Sequence, residues 1–145
     1  MSEWTVVELI TKDYEAIKAL WEAAGLPIKA GGRDSREQFE RQMAGGTQTV
    51  LGVWDGDCLV AVVVATHDGR KGWINRLAVR PDYRRQGLGQ LVVDAAETAL
   101  QKQGMQIIAA LIEDSNSASL ALFEQAGYTE LPSLHYVSKR ANSDV

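Results

Sequence analysis

The first third of the chain alternates between a strand-like and a helix-like spacing of apolar positions. Residues 4–10 are β-branched and partly alternating, which predicts a first strand. Residues 14–24 then carry apolar side chains on one helical face. After a glycine-containing loop, Asp34 is followed three residues later by Glu37. This spacing resembles a capping box and predicts a second helix from Asp34 to about Met43.

Two hairpins are predicted in the middle of the chain. Residues 47–54 and 57–66 are apolar and β-rich, and Asp55-Gly56 between them favours a tight type I′ turn. A second turn at 67–72 leads into another strand at 73–79. These segments place three consecutive strands after the two early helices.

Helix and strand patterns alternate again in the last third of the chain. Residues 88–103 have the most regular helical spacing in the sequence. Residues 105–112 are almost continuously apolar, which is typical of a strand covered on both faces. A helix is predicted at 116–126, followed by two short strands near Tyr128 and at 134–139.

The predicted order is β-α-α-β-β-β-α-β-α-β-β, which defines an α/β protein with a mixed sheet. Internal repeats and linker-like stretches are absent from the sequence, so one domain over residues 1–145 is expected, with its core at about 4–140. A dinucleotide-binding fold is excluded, because its glycines follow the first strand of a β-α-β repeat. Here the glycine pair follows a hairpin.

Composition narrows the class of protein further. The 145 residues are 46% hydrophobic and include a single cysteine, Cys58, so a disulfide framework is excluded. Without a leader-like or membrane-spanning segment, a cytoplasmic protein is expected. With 19 acidic against 15 basic residues, nucleic-acid binding is disfavoured. Basic residues nevertheless concentrate at 70–85, which predicts one anion-binding site.

The segment Arg84-Arg85-Gln86-Gly87-Leu88-Gly89 connects a predicted strand to the most regular predicted helix. Its two glycines allow a ligand to approach the backbone at a helix N-terminus, where free N–H groups and the helix dipole favour anions. The side chains before them add charged hydrogen-bond donors. A phosphate group is therefore expected here. This site alone is typical of any phosphate- or nucleotide-binding domain, which stays an alternative function.

The same segment matches the Arg/Gln-x-x-Gly-x-Gly/Ala motif of the GNAT family of N-acetyltransferases, which the chain resembles. Leu77-Ala78-Val79-Arg80-Pro81 before it and the pattern from Asn116 to Gly127-Tyr128 belong to the resemblance. It implies a mixed, mostly antiparallel sheet flanked by helices. It also implies direct transfer of an acetyl group from acetyl-CoA to a primary amine in a ternary complex, without a metal. The implied acceptor is a small molecule or a peptide, nucleic acid and membrane are not expected partners, and a homodimer stays open.

The resemblance also implies roles for particular residues. The backbone from Gln86 to Gln90 is expected to hold the pyrophosphate of coenzyme A. The backbone at Leu77 to Val79 is expected to pair with the pantetheine arm, near Asn116. The full set of expected cofactor-binding residues is Leu77, Ala78, Val79, Arg84, Arg85, Gln86, Gly87, Leu88, Gly89, Gln90, Asn116 and Phe123.

Two positions depart from the usual family pattern. Phe123 stands where many members carry a tyrosine that protonates the leaving thiolate, and Asn75 stands where many carry a glutamate base. Tyr136 and Glu113 are the candidates to replace them, although both residue types are more often structural or solvated at such positions. A catalytically weak or inactive acyl-CoA-binding sensor is therefore the alternative function. The acceptor is expected to lie against residues 25–36 and 130–135.

Overall fold

The computed structural model describes residues 3–144 and contains nine helices and strands within them. Short 3-10 turns at Thr11–Asp13 and Pro81–Tyr83 precede α1 and α3. The elements are β1 Val6–Glu8, α1 Tyr14–Ala23, α2 Arg36–Ala44, β2 Gln48–Asp55, β3 Cys58–His67, β4 Gly72–Val79, α3 Leu88–Lys102, β5 Ile108–Ala110 and α4 Ser117–Gln125. In the described part of the chain, every helix is too short or too polar to cross a membrane.

The five strands form one sheet in the order β1-β2-β3-β4-β5. All neighbours are antiparallel except β4 and β5, which run parallel because α3 crosses over between them. The predicted class, a mixed and mostly antiparallel sheet flanked by helices, is confirmed.

Helices cover both faces of the sheet. Side chains alternate along β3, so Val63 and Ala65 pack with α3 in one buried cluster. Val62 and Val64 point to the other face and pack in a second cluster that includes residues of α1 and α2. This arrangement explains why residues 58–65 are almost continuously apolar.

The predicted type I′ turn between β2 and β3 is wrong in its details. Asp55 pairs with Cys58, so the two turn residues are Gly56 and Asp57 rather than Asp55 and Gly56. Of these two, Gly56 has a positive φ of 60°, whereas a type I′ turn requires a positive φ at both positions.

The predicted start of the second helix is also wrong by one residue. The helix is capped by Ser35, whose hydroxyl accepts a hydrogen bond from the N–H of Gln38 at 3.2 Å. Asp34 precedes the cap, and its carboxylate is used elsewhere, as described below.

The two strands predicted near Tyr128 and at 134–139 do not form, and residues 129–140 are irregular. A strand needs a neighbour that offers free backbone groups, and β5 is only three residues long instead of the predicted eight. Leu134, Tyr136 and Val137 consequently stay exposed. The second turn, the strand at β4 and the helices α3 and α4 agree with the sequence prediction within one or two residues.

The close pairing of β2 and β3 leads to a testable prediction at Gly52. A Cβ atom there would lie 2.9 Å from the carbonyl oxygen of Ala61 and 2.8 Å from Leu9 Cδ1. We expect Gly52→Ala to lower the free energy of unfolding by about 1–3 kcal/mol, measured by urea denaturation. Gly31→Ala is the matched control, because its Cβ would meet nothing within 4 Å. Equal stability of the two variants would contradict this packing.

Candidate active site

A β-bulge in β4 shapes the centre of the sheet. Val62 of β3 pairs with Ala78 and Val64 pairs with Asn75, so two residues of β4, Arg76 and Leu77, lie opposite one residue of β3. Arg76 has a φ of 53°, in the left-handed region that non-glycine residues rarely adopt. The bulge therefore changes the course of β4 halfway along the strand.

Pairing between β4 and β5 stops just before the bulge. The last paired residues are Ile74 and Ala110, and the rest of β4 has no strand on that side within the described residues. Backbone groups from Arg76 to Val79 on this edge of β4 therefore make no ladder hydrogen bonds to a neighbouring strand. The two strands thus leave a gap between them.

A cavity of about 500 Å³ occupies this gap and extends under α1 and α2. This volume is typical of small-molecule sites. Polar and apolar residues contribute to its wall in nearly equal numbers. The lining residues are Trp21, Leu26, Pro27, Arg33, Asp34, Phe39, Gln42, Gln48, Val64, Thr66, Ile74, Asn75, Arg76, Leu77, Ala110, Leu111, Ile112, Glu113, Asn116, Ser119 and Phe123.

An ion pair between Arg76 and Asp34 joins the bulge to the loop between α1 and α2. Arg76 Nη2 donates to both carboxylate oxygens of Asp34, at 2.8 and 2.9 Å. Its Nη1 donates to the carbonyl of Pro27 at 3.1 Å. Asp34 is buried and also accepts a hydrogen bond from the N–H of Lys29 at 2.7 Å. The pair therefore fixes both the loop and the side chain of the bulge residue.

Two aromatic residues of α1 support this pair. The Trp21 ring lies beneath the Arg76 guanidinium, with 5.3 Å between Cζ and the ring centroid. Tyr14 donates its hydroxyl hydrogen bond to the carbonyl of Asp34 at 2.6 Å. Burial raises the pKa of Tyr14, so its hydroxyl stays protonated as this donor.

A second site lies at the N-terminus of α3. Gly87, at the N-cap, has a φ of 79° and no side chain with which to cap the helix, and Arg85 has a φ of 65°. The first bond of the helix runs from Leu91 N to Gly87 O at 3.0 Å. The N–H groups of Leu88, Gly89 and Gln90 precede it and lack a partner within the helix. They point out of the positive end of a 15-residue helix.

The structure gives the glycine at position 89 a packing role. A Cβ atom there would lie 2.8 Å from Cδ1 of Leu122 in α4. Gly89 thus permits close packing of α3 against α4, and the ligand approach that the sequence indicates at this position stays a prediction. Gly87 is different, because a Cβ there would meet nothing within 4 Å.

The basic residues of 70–85 do not form the single anion site that was predicted. The N–H groups of Arg70 and Lys71 bond to Asp68 in the β3–β4 turn, at the opposite end of β4 from Arg84. Arg76 is engaged by Asp34, and Arg80 donates to the carbonyl of Leu59. Of the run, Arg84 and Arg85 alone belong to the loop before α3.

The remaining predicted site residues fall in two places. Glu113, Asn116 and Phe123 line the cavity, and Asn116 caps α4 by accepting a hydrogen bond from Ser119 N at 3.1 Å. Tyr136 is 66% exposed and lines an open groove along β5, which adjoins the cavity and shares Asn75 and Phe123 with its lining. The structure does not bring Tyr136 into the cavity.

Phe123 is in contact with a second aromatic residue. Phe123 packs edge-on against Tyr128, with ring centroids 4.9 Å apart. Burial and the neighbouring Glu97 raise the pKa of Tyr128, so this phenol is protonated throughout the ordinary pH range.

Among residues 3–144 there is no group of three or more metal-ligating side chains.

Comparison with known proteins identifies the family. Residues 8–128 match the model of the acetyltransferase (GNAT) family. An acetyltransferase of Sodalis glossinidius is 25% identical over 132 residues, which are 91% of this chain and 92% of that protein. The chain therefore belongs to the GNAT family of acetyltransferases, and the resemblance seen in its sequence is confirmed.

Solved structures agree with this assignment. The ribosomal-protein-S18-alanine N-acetyltransferase of Escherichia coli is 25% identical, with a TM-score of 0.75 over 89% of this chain and 79% of that one. The PaiA N-acetyltransferase of Thermoplasma acidophilum, crystallised with coenzyme A, has a TM-score of 0.75 at 16% identity, over 88% and 91% of the two chains. These likenesses support acetyl-CoA-dependent N-acetyltransferase activity, and no comparison favours the sensor alternative.

Sequence reasoning missed the cluster of Asp34, Arg76 and Trp21. Asp34 was interpreted as a helix cap, Trp21 lay within the apolar helical face predicted at 14–24, and Arg76 lay within the basic run at 70–85. The sequence did contain one indication of this role. Ser35 is as good a helix cap as Asp34, and a helix capped by Ser35 leaves the Asp34 carboxylate available to another partner.

The Asp34–Arg76 pair supports a prediction about stability. We expect Asp34→Ala to lower the free energy of unfolding by about 2–4 kcal/mol, because it leaves a mostly buried guanidinium without its carboxylate. Glu15→Ala, which removes the exposed partner of Arg36, is the control and should change it by less than about 0.5 kcal/mol. Chemical denaturation of both variants measures the difference. Similar small losses would show that the Asp34 pair is not a structural anchor.

Proposed function

We propose that this protein transfers the acetyl group of acetyl-CoA directly to a primary amine held in the same complex. The observation that carries the proposal is the gap between β4 and β5. It opens on one side toward the N-terminus of α3 and on the other into a cavity with polar and aromatic walls. Two substrates that enter from opposite sides can therefore meet at the bulge.

The α3 side fits the phosphate end of coenzyme A. The free N–H groups from Leu88 to Gln90 and the positive helix end suit a pyrophosphate. Arg84 and Arg85 lie in the same loop and suit further phosphate oxygens. The unpaired edge of β4 from Leu77 to Val79 offers backbone donors and acceptors to the amide groups of the pantetheine arm. The bound molecule supplies a thioester as the acetyl donor.

Proton removal from the acceptor is assigned to Glu113. An amine is protonated near neutral pH and must lose a proton before its nitrogen attacks the thioester carbon. Two carboxylates line the cavity, and Asp34 is already committed to Arg76 and Lys29 N. Glu113 is exposed and lies just beyond β5, so it is able to accept the proton directly or through water.

Departure of the thiolate requires less assistance from protein side chains than deprotonation of the amine does. As the carbon–nitrogen bond forms, the carbon–sulfur bond breaks and the sulfur departs as a thiolate, and the nitrogen releases its second proton to water to leave a neutral amide. A thiol has a pKa near ~8.5, so its thiolate is stable enough to leave without an acid. This is consistent with Phe123, which lines the cavity and has no hydroxyl to donate. Turnover is expected despite the missing tyrosine.

The size of the cavity favours a small-molecule acceptor. Its volume of about 500 Å³ lies within the range of ordinary ligand pockets, and its walls come from the α1–α2 loop, the bulge and the segment after β5.

We place the reaction in the cytoplasm, which suits the free thiol of Cys58.

Binding at the α3 site can be tested at Gly87. We expect Gly87→Glu to weaken acetyl-CoA binding about a hundredfold or more, since a like charge set against a buried anion costs several kcal/mol. Gly104→Glu is the matched control, because Gly104 also has a positive φ, 93°, and open space, but lies beyond the other end of α3. Calorimetric titration measures both, with circular dichroism as a check of folding. Wild-type affinity in a folded Gly87 variant would overturn the site.

The role of Glu113 can be tested by removing its charge. We expect Glu113→Gln to reduce kcat at neutral pH about a hundredfold while the Kd of acetyl-CoA stays unchanged, and to be partly rescued at high pH where the amine is already neutral. Asp114→Asn, the adjacent carboxylate outside the cavity lining, should stay near wild type. Release of free thiol with a panel of amines reports the rate.

Two outcomes of that experiment would contradict the proposals. Loss of activity in Tyr136→Phe with full activity in Glu113→Gln would move the role to Tyr136. Tight acetyl-CoA binding with no amine-dependent thiol release in the wild type would indicate a sensor.

A further inference from the structure

Charge is divided unevenly between the walls of the cavity. Among the described lining residues, Arg33, Asp34 and Arg76 lie on the side of the α1–α2 loop and the bulge, and Glu113 follows β5. The first wall thus carries two guanidinium groups and one carboxylate. It has one excess positive charge, and the other wall has one negative charge.

The carboxylate of Asp34 is fully engaged with Arg76 and its own loop. Arg76 Nη2 donates to both of its oxygens, and Lys29 N donates to Oδ2. The nearest atom of the second guanidinium, Arg33 Nε, is 3.5 Å from Oδ2; this atom is itself buried and makes no hydrogen bond within residues 3–144. The Arg33 side chain as a whole is 36% exposed and lines the cavity, and its terminal NH2 groups have no hydrogen-bond acceptor among the described residues.

Within residues 3–144, the side chain of Asp144 does not supply the missing acceptor. Asp144 approaches the same loop, but it contributes its main-chain carbonyl, which accepts the hydrogen bond of Arg33 N at 3.1 Å. The ion pair that Arg33 makes within the described residues is with Asp34. An anionic group in the cavity would thus meet a guanidinium that is still able to bind it.

The opposite wall suits a cation. Glu113 is the lining carboxylate without an arginine partner among the described residues, and it lies beside the gap in which the thioester is proposed to sit. Trp21, Leu26 and Phe39 also line the cavity and provide an apolar surface for a carbon skeleton. The cavity is therefore complementary to a molecule with a positive and a negative end.

We propose that the acceptor is a small molecule that carries a carboxylate as well as its primary amine, with the carboxylate bound by Arg33 and the amine near Glu113. This inference rests on the proposed acetyltransferase function and narrows its substrate class. A polyamine or an aminoglycoside is disfavoured, because a second cation would face Arg33 in a wall where the one carboxylate among the described lining residues, Asp34, is already paired. The net charge of the whole chain, −4, suits a cationic partner at long range, whereas the local charges of this wall favour a carboxylate.

The test compares pairs of amines that differ only in the carboxylate. Unbranched ω-amino acids of two to six carbons, α-amino acids and the methyl ester of each are offered with acetyl-CoA, and thiol release is followed. We expect the best acid to exceed its ester by about tenfold or more in kcat/KM. Arg33→Met should remove this preference, and Arg33→Lys should retain part of it.

The control is Arg36→Met, which removes a neighbouring charge that pairs with Glu15 and does not line the cavity. It should preserve the preference for the acid. General damage to the loop would lower acid and ester turnover together, so the ratio of the two isolates recognition of the carboxylate.

The outcomes separate this inference from the function on which it rests. Esters that react as well as acids at every length, or an unchanged preference in Arg33→Met, would overturn the carboxylate site and leave the acetyltransferase intact. Acetyl-CoA binding without thiol release for any acid or ester would overturn both.

Discussion

The left-handed backbone of Arg76 is the constraint on which the rest of the site depends. This conformation costs an L-residue about 1–2 kcal/mol, and no glycine is present to avoid that cost. The ion pair with buried Asp34 offsets it and holds the side chain in place. As a result β4 leaves its neighbour after Ile74, the gap opens, and the α1–α2 loop is fixed above it. One strained residue thus determines where the cavity lies and which loop forms its wall.

Features encoded by neighbouring residues were predictable from the sequence. The segment from Arg84 to Gly89 predicts both a turn and a helix N-terminus, because glycines, charged residues and the start of a helical periodicity occur together within a few positions. The helices α3 and α4 follow from local spacing in the same way. The assignment to the GNAT family depended on these local blocks and is confirmed by the family match.

Features that depend on distant partners were not predictable. Asp34 and Arg76 are 42 residues apart, and in the sequence each has a simpler local role, as a helix cap and as a member of a basic run. The bulge has no glycine to mark it. The strand at 134–139 shows the opposite error, because its apolar residues satisfy a strand pattern while β5 offers too short an edge to pair with them. Long-range geometry decided each of these cases.

The contact between Gly89 and Leu122 has an evolutionary consequence. Helices α3 and α4 pack against each other at Gly89, where the absence of a side chain leaves room for Leu122. A larger residue at 89 requires the end of the Leu122 side chain to move or to become smaller, so the tolerance of one position depends on the other. In an alignment of close relatives this pair should therefore covary, whereas Gly87, which has open space around it, should be restricted by its positive φ and by the ligand proposed to lie against it.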